Sequence, residues 1–448
     1  MERVRPLIRT YMELNTELLH LCNFDVENIE QHRMSAKCPK LSSLRLSEVI
    51  VPLQDSFTAK IPSMSSQVSQ NQSNLSNLPT IHGFGDKITV MPSLQKPRKI
   101  SIIASNGEEF NFLCKPKDDL RKDARLMDFN AVVNKLLTSN SESRKRQLHI
   151  RTYSVVPLNE ECGLIEWVRN TIAFRAILRP RYDVVGTPIS TRRYNEYFEK
   201  FKQMSPEKAG NTFKDKILSE FKPIFHQWFL ETFPEPMAWF TSRLAYSRTA
   251  AVISMVGYII GLGDRHCENI MLDTGTGETV HCDFNCLFDK GRQFEIPELV
   301  PFRLTQNIID GMGITGVEGC FRISCEITMG ILRSNRDCLM SVLEAFIHDP
   351  LVEWEDERRR KERHRSAMGR GPVDLKKLAL GALDPIERKL QGIEGGTQVS
   401  ISNQVDKLIL EATSPSKLKR VKCTSDGHLG CDGINNALYR KDVPNTQV

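Results

Sequence analysis

The stretch Gly263-Asp264-Arg265-His266-Cys267-Glu268-Asn269, with the segment directly downstream, decides the fold class. That segment holds the apolar run Ile270-Met271-Leu272, a Thr274-Gly275-Thr276-Gly277 turn, the run Thr279-Val280-His281-Cys282, and then Asp283-Phe284-Asn285. Two apolar runs joined by a Gly-containing turn read as a β-hairpin. The hairpin carries Asn269 at its entry and Asp283 at its exit. Upstream, Ala250 to Leu262 is an apolar run that reads as a buried helix and is too short to span a bilayer.

The residue types suit phosphoryl transfer. That reaction needs a carboxylate to orient the attacking hydroxyl and accept its proton, and oxygen ligands for a divalent metal. Asp264 and Asn269 are five positions apart, the interval of protein-kinase catalytic loops. Asp283, across the hairpin, can share metal ions with Asn269. A satisfied Asp in a turn or a buried His would explain any one of these residues alone; the combination is the signal.

Working outward, Ile88-Val90, Lys99-Ile103 and Glu109-Cys114 are short β-rich runs, and Asn106-Gly107 is a hairpin turn between the last two. A helix is expected over Lys122–Leu137, then strands at Leu148-Val156 and Gly163-Val168. Lys115 ends the third strand, where an ammonium can reach an α- or β-phosphate. Asp123 is the preferred carboxylate to hold it. An indole at Trp167, on the connector, could stack on adenine. The loop Met91–Lys96 is not Gly-rich, and no Walker sequence occurs. From Asn170 to His348 the pattern is mainly helical. The expected class is α+β: a small antiparallel β lobe (83–165), a larger helical lobe (170–350) and a ligand-binding cleft between them.

Outside this core, residues 1–32 read as a helix with an apolar face. Ser63 to Leu78 is a polar, low-complexity linker within 61–82. Glu353 to Arg365 is mixed charge within a linker spanning 351–382. Two short amphipathic helices, Asp384-Leu390 and Val405-Ala412, fall in 383–414, and 415–448 is a polar tail containing the basic Lys417-Lys422. Of the 448 residues, 40% are hydrophobic and 26% charged, and the net charge is +6. These values are ordinary for a globular protein and weak grounds for a nucleic-acid surface. The twelve cysteines include no Cys-x-x-Cys pair, which removes zinc-ribbon spacing and suits a reducing compartment. No signal-peptide core is evident at the N-terminus.

Met91 to Trp354 resembles the kinase domain of the phosphatidylinositol 3-kinase-related protein kinases. The resemblance rests on Cys114-Lys115-Pro116-Lys117-Asp118-Asp119-Leu120-Arg121-Lys122-Asp123, His149-Ile150-Arg151-Thr152-Tyr153, Pro157-Leu158-Asn159-Glu160-Glu161-Cys162-Gly163, Met255-Val256-Gly257-Tyr258-Ile259 and His348-Asp349-Pro350-Leu351-Val352-Glu353-Trp354. It implies ATP with Mg²⁺ or Mn²⁺ as cofactors. It also implies roles: Asp264 and His266 catalytic, Asn269 and Asp283 on the metal, Lys115 on the phosphates with Asp123 and Asp118 beside it. Trp167 and Val168 would line the hinge, Met271 the adenine floor and Cys282 the back of the pocket. The activation loop would run from Asp283 to about Pro301. The family phosphorylates Ser or Thr followed by Gln. The resemblance further implies checkpoint signalling in the nucleus, a dedicated interacting partner protein, DNA contacted only indirectly, and no membrane. By the same resemblance, residues 1–60 are the helical end of a FAT region and 383–414 a partial FATC segment. The tail after Ser414 departs from the family pattern, as does Cys267 where Gly is usual.

Two other readings use the same residues. A lipid kinase would need a basic activation loop to meet phosphoinositide phosphates. Here Lys290 and Arg292 are offset by Asp289, Glu295 and Glu298. For a catalytically impaired, truncated scaffold form, no catalytic residue is missing, which argues against it, while the atypical tail and the absence of the family's N-terminal helical repeats keep that reading open.

Overall fold

Alternation of buried and open side chains along Glu109–Pro116 builds the first sheet: Phe112 and Cys114 are fully buried, while Lys115 points the other way. The computed structural model describes residues 4–26, 31–44, 46–54, 78–92, 95–186, 200–201, 203–294, 297–348, 375–418, 422–423 and 427–428. Most of the expected 61–82 and 351–382 linkers, and most of the tail, lie outside the described residues. So do Asp349–Trp354 and parts of the 91–96 loop and the activation loop. The chain divides into two compact units, one of residues 1–131 with 152–169, the other of 132–151 with 170–448.

The first unit begins with helix α1 (Val4–Asn23). Next come β1 (Gln31–Arg33), the short helices α2 (Met34–Lys37) and α3 (Pro39–Ser43), then β2 (Ile81–Phe84), β3 (Lys87–Val90), β4 (Arg98–Ala104) and β5 (Glu109–Pro116). Helix α4 (Arg121–Ser139) starts in this unit, and β6 (Val155–Pro157) and β7 (Cys162–Glu166) complete it. The antiparallel sheet runs β1-β3-β4-β5-β7-β6, with β2 also on β4. Leu14, Leu18, Leu21 and Cys22 form one face of α1 and join Ile100, Ile102, Phe112, Cys114, Cys162 and Leu164 in a single core. Lys115 sits opposite Gly163 on β7. A Cβ at Gly163 would lie 2.8 Å from the Val156 carbonyl oxygen, so only glycine lets β6 and β7 close here.

Three expectations are corrected. The helix expected through residue 32 stops at Asn23, and 31–33 pair as an edge strand with β3. Strand β2 forms from Ile81-His82-Gly83-Phe84, a run without alternation. Of the strand expected over Leu148-Val156, only Val155 and Val156 pair, as part of β6. Side chains replace the ladder before it: Asn134 both donates to the Ile150 carbonyl and accepts its N–H, at 2.8 Å each, and Glu166 accepts the Ser154 N–H at 2.9 Å.

In the second unit, α5 (Ser141–Lys145) is followed by β8 (Thr171–Ala173), α6 (Phe174–Val185), α7 (Pro206–Thr212), α8 (Phe225–Thr232) and α9 (Pro236–Ile260). Strands β9 (Ile270–Asp273) and β10 (Thr279–His281) form the expected hairpin, and β8 adds an unexpected third strand on β9. The remaining helices are α10 (Gln306–Gly311), α11 (Cys320–Ser334), α12 (Arg336–His348), α13 (Leu375–Gln391), α14 (Ile401–Thr413) and α15 (Pro415–Leu418). Pro236 starts α9 at a position that needs no N–H donor, and from Thr249 onward nearly every residue is buried. This is the buried helix expected from the sequence. Among the described residues no helix is long and apolar enough to cross a membrane. An aromatic cluster fixes α8 beneath α9: Phe225 lies 5.6 Å from Trp228, stacked, and 5.5 Å from Tyr246.

Candidate active site

Helix α9 ends on Gly261, whose left-handed backbone (φ 64°) lets the Leu262 N–H return to the Gly257 carbonyl at 2.8 Å. The chain then turns sharply through Asp264, itself left-handed at φ 57°. A non-glycine residue there carries strain, which the surroundings must hold. Two carboxylate oxygens of Glu298 accept the Asp264 N–H, at 3.0 and 3.3 Å. The Asn269 side-chain amide donates to the Asp264 carbonyl at 3.0 Å, and the Asn269 N–H meets the His266 carbonyl at 3.0 Å. The loop is thus closed on itself, with the Asn269 amide oxygen left as an acceptor.

The hairpin brings its far end back to the same loop. The Cys282 N–H donates to the Asn269 carbonyl at 3.0 Å, and its thiol lies 3.7 Å from the Glu268 carbonyl. Asp283 is left-handed too (φ 58°), and one of its oxygens accepts from the Asn285 amide at 2.9 Å. Arg265 is buried beneath both. Its guanidinium donates to the carbonyls of Gly263 (3.0 Å), Cys282 (2.8 Å) and Asp283 and lies over the Phe284 ring. One rigid fork therefore fixes the backbone before Asp264 and at Asp283 together. His266 sits beside Asp264; burial pulls its imidazole below the ordinary value, so the ring is neutral at physiological pH. Met271 is half-buried on β9, opposite Val280 and Ala173.

The other expected residues lie in the first unit. Lys115 pairs with Asp118 at 3.1 Å, both ends mostly buried. Asp123, the partner preferred on sequence grounds, is 1% exposed in the first turn of α4. Beside it, burial brings the Lys122 ammonium down to about 8 against the pull of Asp119, Asp123 and Asp118. The Trp167 backbone N–H donates to the Asn111 carbonyl at 2.9 Å, and the Lys99 ammonium lies 4.1 Å from the centre of the indole ring. One face of the indole thus already carries a cation. Val168 is the next residue on the same connector.

The donor set fits a hard divalent cation. Asn269 and Asp283 offer oxygen atoms only, which suits Mg²⁺. Among the described residues no three His, Cys, Asp or Glu side chains converge on a metal position. An ion here would draw its other ligands from phosphate oxygens and water.

The sequence family described as phosphatidylinositol 3- and 4-kinase matches residues 109–356, more than half of the chain. The chain belongs to this family. Within it, the chain is 48% identical over 379 residues to serine/threonine-protein kinase ATR of Arabidopsis thaliana, covering 84% of this chain and 14% of that protein. Protein kinase rad3 of Schizosaccharomyces pombe is 45% identical over 422 residues, 93% of this chain and 17% of that protein. The solved structure of the FAT and kinase domain of CtTel1 superimposes with a TM-score of 0.73 at 30% identity, covering 92% of this chain and 28% of that one. The expected α+β kinase fold is borne out, as is the resemblance to the phosphatidylinositol 3-kinase-related protein kinases. The chain spans only about 14–17% of the length of these curated relatives.

Sequence reasoning missed three participants. Arg265 stands out in the sequence only as a member of the loop. Glu298 counts there only as an offsetting charge. Lys389, which pairs with Asp289, carries no signal. All three act on backbone groups or on partners far along the chain, which no local spacing reveals.

Proposed function

We propose that this kinase-family chain transfers the γ-phosphoryl of ATP to Ser or Thr hydroxyls of proteins, at sites followed by Gln, as an ATR-like checkpoint kinase acting in the nucleus. The observation that carries the reading is the closed loop in which Asn269 grips the Asp264 carbonyl while Cys282, next to Asp283, grips Asn269. The similarity to protein kinases named ATR and rad3 supports the protein substrate.

In this reading the hydroxyl oxygen attacks the γ-phosphorus in line, ADP departs, and the hydroxyl proton passes to the Asp264 carboxylate. A divalent cation held by Asn269 and Asp283 would neutralise charge on the phosphates. Neutral His266 donates a hydrogen bond to the moving phosphoryl group. Lys115, held by Asp118 with Asp123 close in sequence, neutralises a non-transferring phosphate. Trp167, Val168, Met271 and Cys282 contact the adenine. Most of the rate comes from fixed positions and fixed charges, with no covalent intermediate. An interacting partner protein and indirect recruitment to DNA belong to the same proposal, by resemblance to ATR.

The test is transfer of labelled phosphate from ATP by the purified chain to a Ser-Gln peptide, a Ser-Ala control and phosphoinositide vesicles. Transfer to the Ser-Gln peptide alone is expected. Transfer to lipid would overturn the reading in favour of a lipid kinase, and a chain that binds ATP yet transfers nothing would overturn it in favour of a scaffold.

A further inference from the structure

Glu298 stands 34 positions beyond Asp264, and both of its carboxylate oxygens accept the Asp264 N–H. The surroundings are cut to its shape. Its own N–H binds the Gly291 carbonyl at 2.9 Å, which anchors the residue. A Cβ at Gly263 would lie 2.7 Å from its Oε2, and a Cβ at Gly291 would collide with the same atom outright. Neither glycine has a positive φ, so the space itself is what each supplies. Two glycines thus clear a slot for one carboxylate, and that carboxylate ends on the N–H of a residue held in a left-handed backbone (φ 57°).

We propose that Glu298 is a positioning residue for phosphoryl transfer: it locks the strained backbone of Asp264 and so fixes the carboxylate that receives the hydroxyl proton. Left-handed backbone at a non-glycine residue costs about 1–3 kcal/mol and persists only when its surroundings enforce it. Asn269 enforces it from the carbonyl side and Glu298 from the N–H side. The charged and titratable groups facing Glu298 are Asp264 and Arg265 on the loop, Cys286 before it and Arg303 after it. Burial, with the Asp264 charge adding to it, pushes the Glu298 carboxyl up to about 7. The ionised form makes the stronger hydrogen bond. The rate should therefore rise with pH through about 7.

The inference rests on the phosphotransfer reading, and the experiment separates the two. The 448-residue chain is compared with Glu298→Ala, Glu298→Gln, Gly291→Ala and the Glu298→Ala/Gly291→Ala double variant. Steady-state transfer to the Ser-Gln peptide is measured from pH 6 to 8.5, with amide exchange of the peptide spanning 262–268. Glu298→Ala is expected to lose about 10–100-fold in kcat with little change in KM for ATP. Glu298→Gln keeps an acceptor oxygen but no charge, so it holds the low-pH rate of wild type across the range, above that of Glu298→Ala, and loses the pH rise. Gly291→Ala displaces the carboxylate and falls toward Glu298→Ala, and the double variant is no worse than Glu298→Ala. Exchange at Asp264 quickens in Glu298→Ala and Gly291→Ala alike. Near-normal kcat in Glu298→Ala, Gln as damaging as Ala, or additive losses in the double variant would each overturn the proposal. A wild-type chain that transfers nothing overturns the phosphotransfer reading instead. Exchange alone then decides the brace: faster in Glu298→Ala sustains it, unchanged overturns it.

Discussion

The Lys389 ammonium lies 2.9 Å from the Asp289 carboxylate and 2.9 Å from the Tyr258 carbonyl. It joins α13, near the C-terminal end, to the segment after Asp283 and to the last turns of α9. Asp289 is left-handed (φ 56°), and its N–H binds the Gly261 carbonyl at 2.9 Å. Lys389 is mostly buried, and removing it leaves Asp289 with only the looser Arg292 contact at 3.5 Å among the ion pairs of the described residues. Lys389→Met is expected to cost about 1–3 kcal/mol. Urea denaturation measures the loss, and a midpoint equal to wild type would show the tether to be idle.

Arg265 holds three carbonyls with one planar fork. A lysine keeps the charge but not the geometry. Arg265→Lys is expected to destabilise the second unit by about 2–3 kcal/mol, the worth of one or two charge-assisted hydrogen bonds. It should also lower kcat, since the backbones at Gly263 and Asp283 lose their common anchor. Paired denaturation and transfer assays read both effects.

Asp283 is best tested with asparagine, which tolerates the left-handed backbone that alanine would resist. Asp283→Asn is expected to keep its melting temperature within a few degrees of wild type and to lose transfer by about 10³-fold or more. Retained transfer in a folded variant would remove Asp283 from the metal site.

Glu278 gathers His149 at 2.9 Å and Arg151 at 2.6 Å. The hydrogen bond from His149 comes first in holding the Glu278 carboxyl down to about 2, and the same bond raises the His149 imidazole above 6.5. The signs are opposite. The raised His149 contributes stability that is complete below pH 6.5 and is lost as pH climbs through its folded value; the depressed Glu278 contributes stability present above pH 4.5 and lost as pH falls toward 2. Denaturation midpoints taken between pH 6 and 9 should fall more in wild type than in His149→Gln. Parallel curves would show that the pair is not linked to folding.

The hairpin and its two flanking metal-type residues are legible in the sequence because their chemistry is written in local spacing. Asp264, Asn269 and Asp283 lie within one turn-strand-turn-strand unit. The buried helix before them is legible for the same reason. Strands β1, β2 and β8 are not, because three or four residues such as Gln31-His32-Arg33 carry no alternation and pair only where the sheet already offers an edge. Local pattern points to Asp123 and is silent on Asp118, because helix periodicity says nothing about the tight turn that brings Asp118 to 3.1 Å from Lys115. Glu298 is invisible because its partner is a backbone N–H far along the chain, and any residue has one.

Strand β5 is a partition one side chain thick. Cys114 faces Cys22 and the core under α1, and Lys115, the next residue, faces the opposite side with Asp118. A bulky residue at Cys22 must push on Cys114, and the strand has no slack between that thiol and the ammonium beside it. On the proposed phosphate-binding role of Lys115, lesions in the N-terminal helix are expected to present in the assay as weakened nucleotide affinity, imitating damage to a site they never touch.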